Sequence, residues 1–127
     1  MTVSKKFGYG RVSTKEQNEG RQLESLLSAG VADRDIFIDK KSGKDFDRVQ
    51  YQTLKNMLRE GDILYIHSLD RLGRNKEGIL NEWNDITKQI KAEIIVLDMP
   101  LLDTTKYKDS LGSFVSDLVL QILSWMA

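Results

Sequence analysis

Arg11 and Ser13 stand two apart in the stretch YGRVSTKEQN. If the run up to Val12 is a strand, alternate residues share a face roughly 6–7 Å apart, and a guanidinium and a hydroxyl point into one cleft. A second polar stretch, SLDRLGRN, carries Asp70, Arg71 and Arg74 directly after an apolar run, and a third, KKSGKDFDR, ends in Asp47 and Arg48. Should Asp70 cap a helix, Arg71 and Arg74 fall three apart on neighbouring rows of one face. Guanidinium forks grip phosphate oxygens in pairs and stay protonated. Gathered around a hydroxyl, they stabilise charge that builds on those oxygens during displacement at phosphorus. The hydroxyl can then attack phosphorus and leave a covalent phosphoserine link. Such a cluster can replace metal ions as the electrostatic clamp. The chain has no cysteine and a single histidine, His67, so neither a thiolate nor a histidine-rich metal centre is available.

Each of these residues also has a plainer use. A serine after a strand is more often a helix cap than a nucleophile, and DRLGRN alone reads as a capped, salt-bridged helix start. Arg48 can be a solvated loop charge, and Gln17 and Gln22 ordinary surface residues of a helix. His67 closes a strand and reads as structural. What favours the chemical reading is that the groups fall together at one edge of a sheet.

The elements that must place them can be read in order. Residues Lys6 to Val12 form a first strand, with Gly8 and Gly10 marking close backbone approach. Ser13 or Thr14 caps a helix from near Lys15 to about Ala29, which stops at Gly30 and buries Leu23, Leu26 and Leu27. DIFID, Asp35 to Asp39, is a short second strand, and KKSGKDFDR reads as a loop. A helix from about Val49 to Arg59 turns Leu54 and Leu58 inward and ends at Gly61. DILYIH, Asp62 to His67, is the clearest buried strand. A helix from about Lys76 to Ile90 and a fourth strand, Ala92 to Asp98, follow. Strands alternating with helices imply right-handed crossovers and an α/β fold: a mostly parallel sheet of four to five strands with helices on both faces. Ligands in such sheets sit outside the carboxyl ends of the strands, where the arginine-bearing loops fall.

After Pro100, LLDTTKYKDSLG reads as a loop. The last segment, Ser113 to Ala127, repeats apolar residues at helical spacing, with Leu120 and Trp125 widening the stripe beyond one face. A helix that apolar needs a partner on more than one side, and is expected to serve oligomerisation.

Composition sets the outer limits. The 127 residues fit one domain, and 40% hydrophobic with 30% charged suits a soluble globular protein. No apolar run is long enough for a secretion signal or a bilayer span, so no membrane partner and a cytoplasmic location are expected. With 19 basic and 19 acidic residues the formal net charge is zero. Nucleic-acid binding therefore cannot be argued from bulk charge, only from where the arginines sit.

YGRVSTKEQN, DKKSGKDFDR and GDILYIHSLDRLGRN occur in that order at the right separations. Together they resemble the catalytic domain of the small serine recombinases, the resolvase/invertase family of site-specific DNA recombinases. The resemblance covers essentially all 127 residues, including VLDMPLLDT and the final helix. It implies that Ser13 is the nucleophile that joins the 5′-phosphate of cleaved DNA and frees a 3′-hydroxyl. It implies that Arg11, Arg48, Arg71 and Arg74 surround the scissile phosphate, that Asp70 orients them, and that Gln22, with Gln17 near it, belongs to the same pocket. Where some relatives place a lysine near the pocket, Met57 stands here, with Lys55 close by.

The partners implied are double-stranded DNA and further copies of the chain, as a homodimer and as a tetramer in the synaptic complex. Strand exchange and religation follow, giving resolution, inversion or integration with neither cofactor nor metal. Residues 1–127 are then the catalytic domain, with the dimerisation helix beginning at about 113–127. The family's C-terminal helix-turn-helix domain is expected beyond Ala127 and absent from this chain. A non-catalytic module that binds a phosphorylated ligand, or a purely oligomerising domain, are the competing readings. A shallow open arginine surface would separate DNA from a small ligand, which needs an enclosed apolar pocket.

Overall fold

Phe7 and Tyr9 face one way from the first strand while Gly8 and Gly10 face the other, and this alternation decides how the helices stack. In the computed structural model, residues 4–12, 19–40, 48–73, 75–100, 102–106, 117–118 and 121 are described. The elements are β1 (Lys6–Val12), α1 (Glu19–Ser28), β2 (Ile36–Lys40), α2 (Val49–Met57), β3 (Ile63–Ile66), α3 (Lys76–Asn84) and β4 (Glu93–Val96). All three strand pairings are parallel, in the order β2-β1-β3-β4.

The chain steps from β1 to β2 in one direction and returns past β1 to β3 in the other. Right-handed crossovers then require α1 on one face and α2 and α3 on the opposite face. The packing agrees. Leu26 of α1 joins Val31 and Tyr65 on one side. Tyr51, Leu54 and Leu58 from α2, and Ile79 and Trp83 from α3, cover Phe7, Tyr9, Leu64, Ile66, Ile94 and Val96 on the other. Each fully buried Leu or Ile there contributes roughly 1.5–3 kcal/mol.

The glycines of β1 serve close approach, as their placement inside a strand predicts. A Cβ on Gly8 would stand 3.2 Å from both methyls of Leu26, and one on Gly10 would stand 2.9 Å from Gln22 Oε1. Helix α1 therefore sits on β1 through Gln22 and Leu26, one turn apart. Leu27, expected in this buried stripe, is 43% exposed because it lies about 100° further round the helix. The helix ends at Gly30, whose φ of +98° suits glycine.

Two further features depart from the expected plan. The helix after β3 does reach Ile90, but its last six residues, Asp85–Ile90, wind as a π-helix. Thr87 hydroxyl donates to the Trp83 carbonyl there (2.8 Å). The stretch after Pro100 does more than link. Ile95 and Asp103 form an antiparallel bridge beside β4, so the parallel sheet has four strands and a partial fifth neighbour. Of the final segment only Asp117, Leu118 and Gln121 are described. Asp117 pairs with Lys88 (3.5 Å) and Leu118 is 48% exposed, while the rest of the expected apolar stripe lies outside the described residues.

Candidate active site at the strand ends

The order β2-β1-β3 reverses chain direction beside β1, and the crevice beyond the carboxyl ends of β1 and β3 is where open α/β sheets take ligands. Arg11 is the penultimate residue of β1, on the same face as Tyr9 by alternation. Arg48 precedes α2, and Asp70 and Arg71 fall in a short 3-10 turn, Leu69–Arg71, after β3. The end of β1 and the connections after β2 and β3 thus place Arg11, Arg48, Asp70 and Arg71 near enough for their charges to act on one another. Burial pulls the Arg11 pKa below its ordinary value. Tyr9 acts the other way, Arg71 and Arg48 lower it further, and Asp70 raises it. A guanidinium so placed still keeps its proton at neutral pH.

Each group is held differently. Gln22 clamps the backbone of Arg11 from the α1 side: its Oε1 accepts from the Arg11 N–H (3.2 Å) and its Nε2 donates to the Arg11 carbonyl (3.1 Å). The amide acts as one rung of a ladder at the end of the strand, and the missing side chain of Gly10 gives it room.

Arg48 is nearly enclosed, at 5% exposure, rather than a solvated loop charge. Its Nη1 donates to the Arg71 carbonyl (2.9 Å), and its Cζ lies 3.9 Å from the centre of the Tyr51 ring. Its backbone is left-handed (φ 50°, ψ 55°), at a cost of about 1–2 kcal/mol that the surrounding contacts must offset. Asp70 is open to solvent. Its Oδ1 accepts from the Ser68 hydroxyl (2.6 Å) and its Oδ2 stands 3.7 Å from Arg71 Nη1. The Nε of Arg71 is buried and has no hydrogen-bond partner among the described residues, so one N–H is poised for an acceptor.

Asp70 does not cap α3. That task falls to Asn75, whose side chain accepts from the Gly78 N–H (2.8 Å). The intervening Gly73 is forced by packing, since a Cβ there would meet the backbone of Gly78 and Ile79 at 2.7 Å. Ser13, Gln17 and Arg74 lie outside the described residues. His67 directly follows β3, with a buried Nδ1 that has no partner among the described residues.

Asp39 is the group that the sequence pattern did not single out. It is 4% exposed at the end of β2. It accepts from the Tyr9 hydroxyl (2.8 Å) and from the first-turn amides of α2, Gln50 (2.8 Å) and Tyr51 (3.1 Å). One carboxylate thus ties β1, β2 and α2 together beneath the arginines. Burial, then the bond to Asp39, pushes the Tyr9 phenol well above its ordinary value, with Arg48 and Arg11 opposing. An acidic residue closing a strand two residues before a glycine-bearing loop was the available signal. Among the described residues no group of three or more His, Cys, Asp or Glu could hold a metal ion, and no helix is long and apolar enough to cross a membrane.

A parallel sheet with an arginine cluster at its switch point defines an α/β domain built to meet an anion, and its family can be stated. The chain matches the family "Resolvase, N terminal domain" over residues 6–127, and belongs to it. It is 39% identical over 87 residues to the R46 site-specific recombinase of Escherichia coli, across 68% of this chain and 44% of that protein. It is 33% identical over 108 residues to the Tn917 transposon resolvase of Enterococcus faecalis, across 85% of this chain and 55% of that one. The chain thus spans about half the length of such relatives, or less. Its fold matches the N-terminal catalytic domain of TP901-1 integrase with a TM-score of 0.67 and 28% identity, over 96% of this chain and 93% of that one.

Proposed function

We propose that residues 1–127 are the catalytic domain of a serine site-specific recombinase that breaks and rejoins double-stranded DNA in the cytoplasm. Ser13 attacks a backbone phosphorus, the 3′-oxygen leaves, and a 5′-phosphoserine bond forms. After strand exchange the free 3′-hydroxyl attacks that bond and releases Ser13. Arg11, Arg48, Arg71 and Arg74 carry the charge that builds on the phosphate oxygens, with Asp70 orienting Arg71. Gln22 holds the backbone of Arg11, and Gln17 is assigned to the same pocket. The working form is a homodimer that pairs into a tetramer, and the helix beginning at about 113–127 supplies the contact.

One observation carries this reading: in a chain of this family, the charges of Arg11, Arg48 and Arg71, from three separate elements, act on one another at the carboxyl ends of the strands, with the exposed Asp70 beside Arg71. A small-ligand module would set the arginines around an enclosed apolar pocket. A described cavity of about 490 Å³ lies elsewhere, along polar residues of α3 and its π-helical continuation, from Asn81 to Gln89.

The test is covalent capture. The chain is incubated with a pool of nicked duplexes randomised around the nick, and the adduct is mapped by mass spectrometry. Linkage to Ser13, lost in Ser13→Ala with the fold unchanged, is the expected result. An adduct that survives Ser13→Ala overturns the assignment.

A further inference from the structure

Tyr51 is more than a core aromatic. It is 1% exposed, and it is held at its backbone, its ring and its hydroxyl. Its N–H donates to Asp39 (3.1 Å), its ring meets that of Tyr9 nearly edge-on at 5.0 Å, and its hydroxyl donates to Glu82 Oε1 (2.6 Å). Glu82 is itself anchored, because the same oxygen accepts from Lys55 Nζ (3.0 Å) and Lys55 also pairs with Asp85. This ring, immobilised from α2, α3 and the sheet, stacks under the Arg48 guanidinium at 3.9 Å.

We propose that Tyr51 is a positioning residue for the reaction: its ring, pinned through its hydroxyl by Glu82 and at its edge by Tyr9, is the platform that holds the Arg48 guanidinium in place for the phosphate. The inference rests on the recombinase reading above and adds a residue to it.

The physical argument is one of rotamer freedom and desolvation. A free arginine side chain loses up to about 2 kcal/mol of rotamer entropy on being fixed. Arg48 has already lost it before substrate arrives, between a π face on one side and the Arg71 carbonyl on the other. Cation–π attraction is at its strongest where water is excluded, as it is around Arg48. Arginine's planar fork meets phosphate oxygens in pairs, so fixing the plane of the Arg48 guanidinium fixes the direction of those bonds. Glu82 bonds the hydroxyl end of the ring, where Lys55 balances its charge.

The experiment compares Tyr51→Leu, which removes the π face, with Tyr51→Phe, which keeps it and drops the Glu82 bond. Single-turnover formation of the Ser13 adduct is followed at saturating DNA. DNA affinity is measured separately, and side-chain NMR of Arg48 reports ring-current shifts. Tyr51→Leu is expected to slow adduct formation about tenfold, with DNA affinity changed less than twofold. Tyr51→Phe is expected to slow it about threefold. The ring-current shift on Arg48 is present in wild type and Tyr51→Phe and lost in Tyr51→Leu.

A folded Tyr51→Leu that cleaves at the wild-type rate overturns the proposal. So does the absence of a ring-current shift in wild type, whether or not Tyr51→Leu folds. If wild type gives no Ser13 adduct while the ring-current shift is intact, the recombinase reading is what fails, and this inference falls with it.

Discussion

Arg48 and Asp70 belong to one cluster and are supported in opposite ways. Arg48 is enclosed, stacked on a fixed ring and bonded to a carbonyl, with Asp39 organising the helix start beside it. Asp70 stands in solvent on a three-residue turn, held by the Ser68 hydroxyl and 3.7 Å from Arg71. One side of the site is a rigid floor built from the core, and the other is an adjustable rim. Preorganised donors cost no reorganisation when charge develops, so rigidity suits the residue that carries charge. A rim free to move suits the duplex substrate proposed above.

The contrast breaks most visibly at its two carboxylates. Asp39→Ala strips a buried acceptor from one phenol and two helix-start amides, and is expected to cost about 3 kcal/mol of unfolding free energy in urea titration. Asp70→Ala, at an exposed side chain, is expected to stay within about 0.5 kcal/mol of wild type while adduct formation falls at least tenfold. Equal stability losses at the two sites would erase the distinction.

Alkaline pH sharpens it. Burial and the Asp39 bond raise the Tyr9 phenol, and burial and the Glu82 bond raise that of Tyr51. Burial pulls Lys55 down, but its bonds to Asp85 and Glu82 more than offset this and leave it raised. All three groups therefore hold protons more tightly in the folded chain. Their stabilisation is complete below the unfolded values, near 10 for Tyr and Lys, and is lost as pH rises through the higher folded values. Unfolding free energy should fall above about pH 10, by up to about 1.4 kcal/mol per pH unit for each group. Tyr9→Phe should lessen that slope. Urea titrations at pH 8, 10 and 11 check it, and a flat profile to pH 11 contradicts it.

The smallest effect is expected at the rim. Ser68→Ala removes a single hydrogen bond to an exposed carboxylate, and should leave stability within about 0.5 kcal/mol while slowing adduct formation about threefold. A loss above tenfold in single-turnover cleavage would place Asp70 with the rigid side.

Much of this was legible from sequence because period and punctuation agree. The β-formers of residues 6–12 alternate with glycines, and Gly30 stops α1 with a positive φ, while α2 ends at Met57, short of Gly61, whose positive φ serves the turn before β3. The arginine-bearing loops fall at the carboxyl ends of strands, as the alternation of strands and helices requires. Other details turn on three-dimensional choices that one-dimensional pattern leaves degenerate. Asp70 and Asn75 are both good caps, and only the close approach of Gly73 to Gly78 selects Asn75. Leu26 and Leu27 look alike, and only the helix's seating on Gly8 and Gly10 decides between them. Arg48 reads as loop charge because the ring beneath it comes three residues later, as an ordinary core tyrosine. Asp39 reads as a strand-end acid because its donors come from another strand and another helix.

The strap beside β4 has a further consequence. The outward amides of Ile94 and Val96 are taken by the Thr104 hydroxyl (2.8 Å) and the Leu102 carbonyl (3.0 Å), and the Ile94 carbonyl accepts from the Thr104 amide (3.0 Å). A border strand ordinarily offers such groups to any passing polypeptide. Here that margin is already closed from within, so copies of the chain cannot zip together along it.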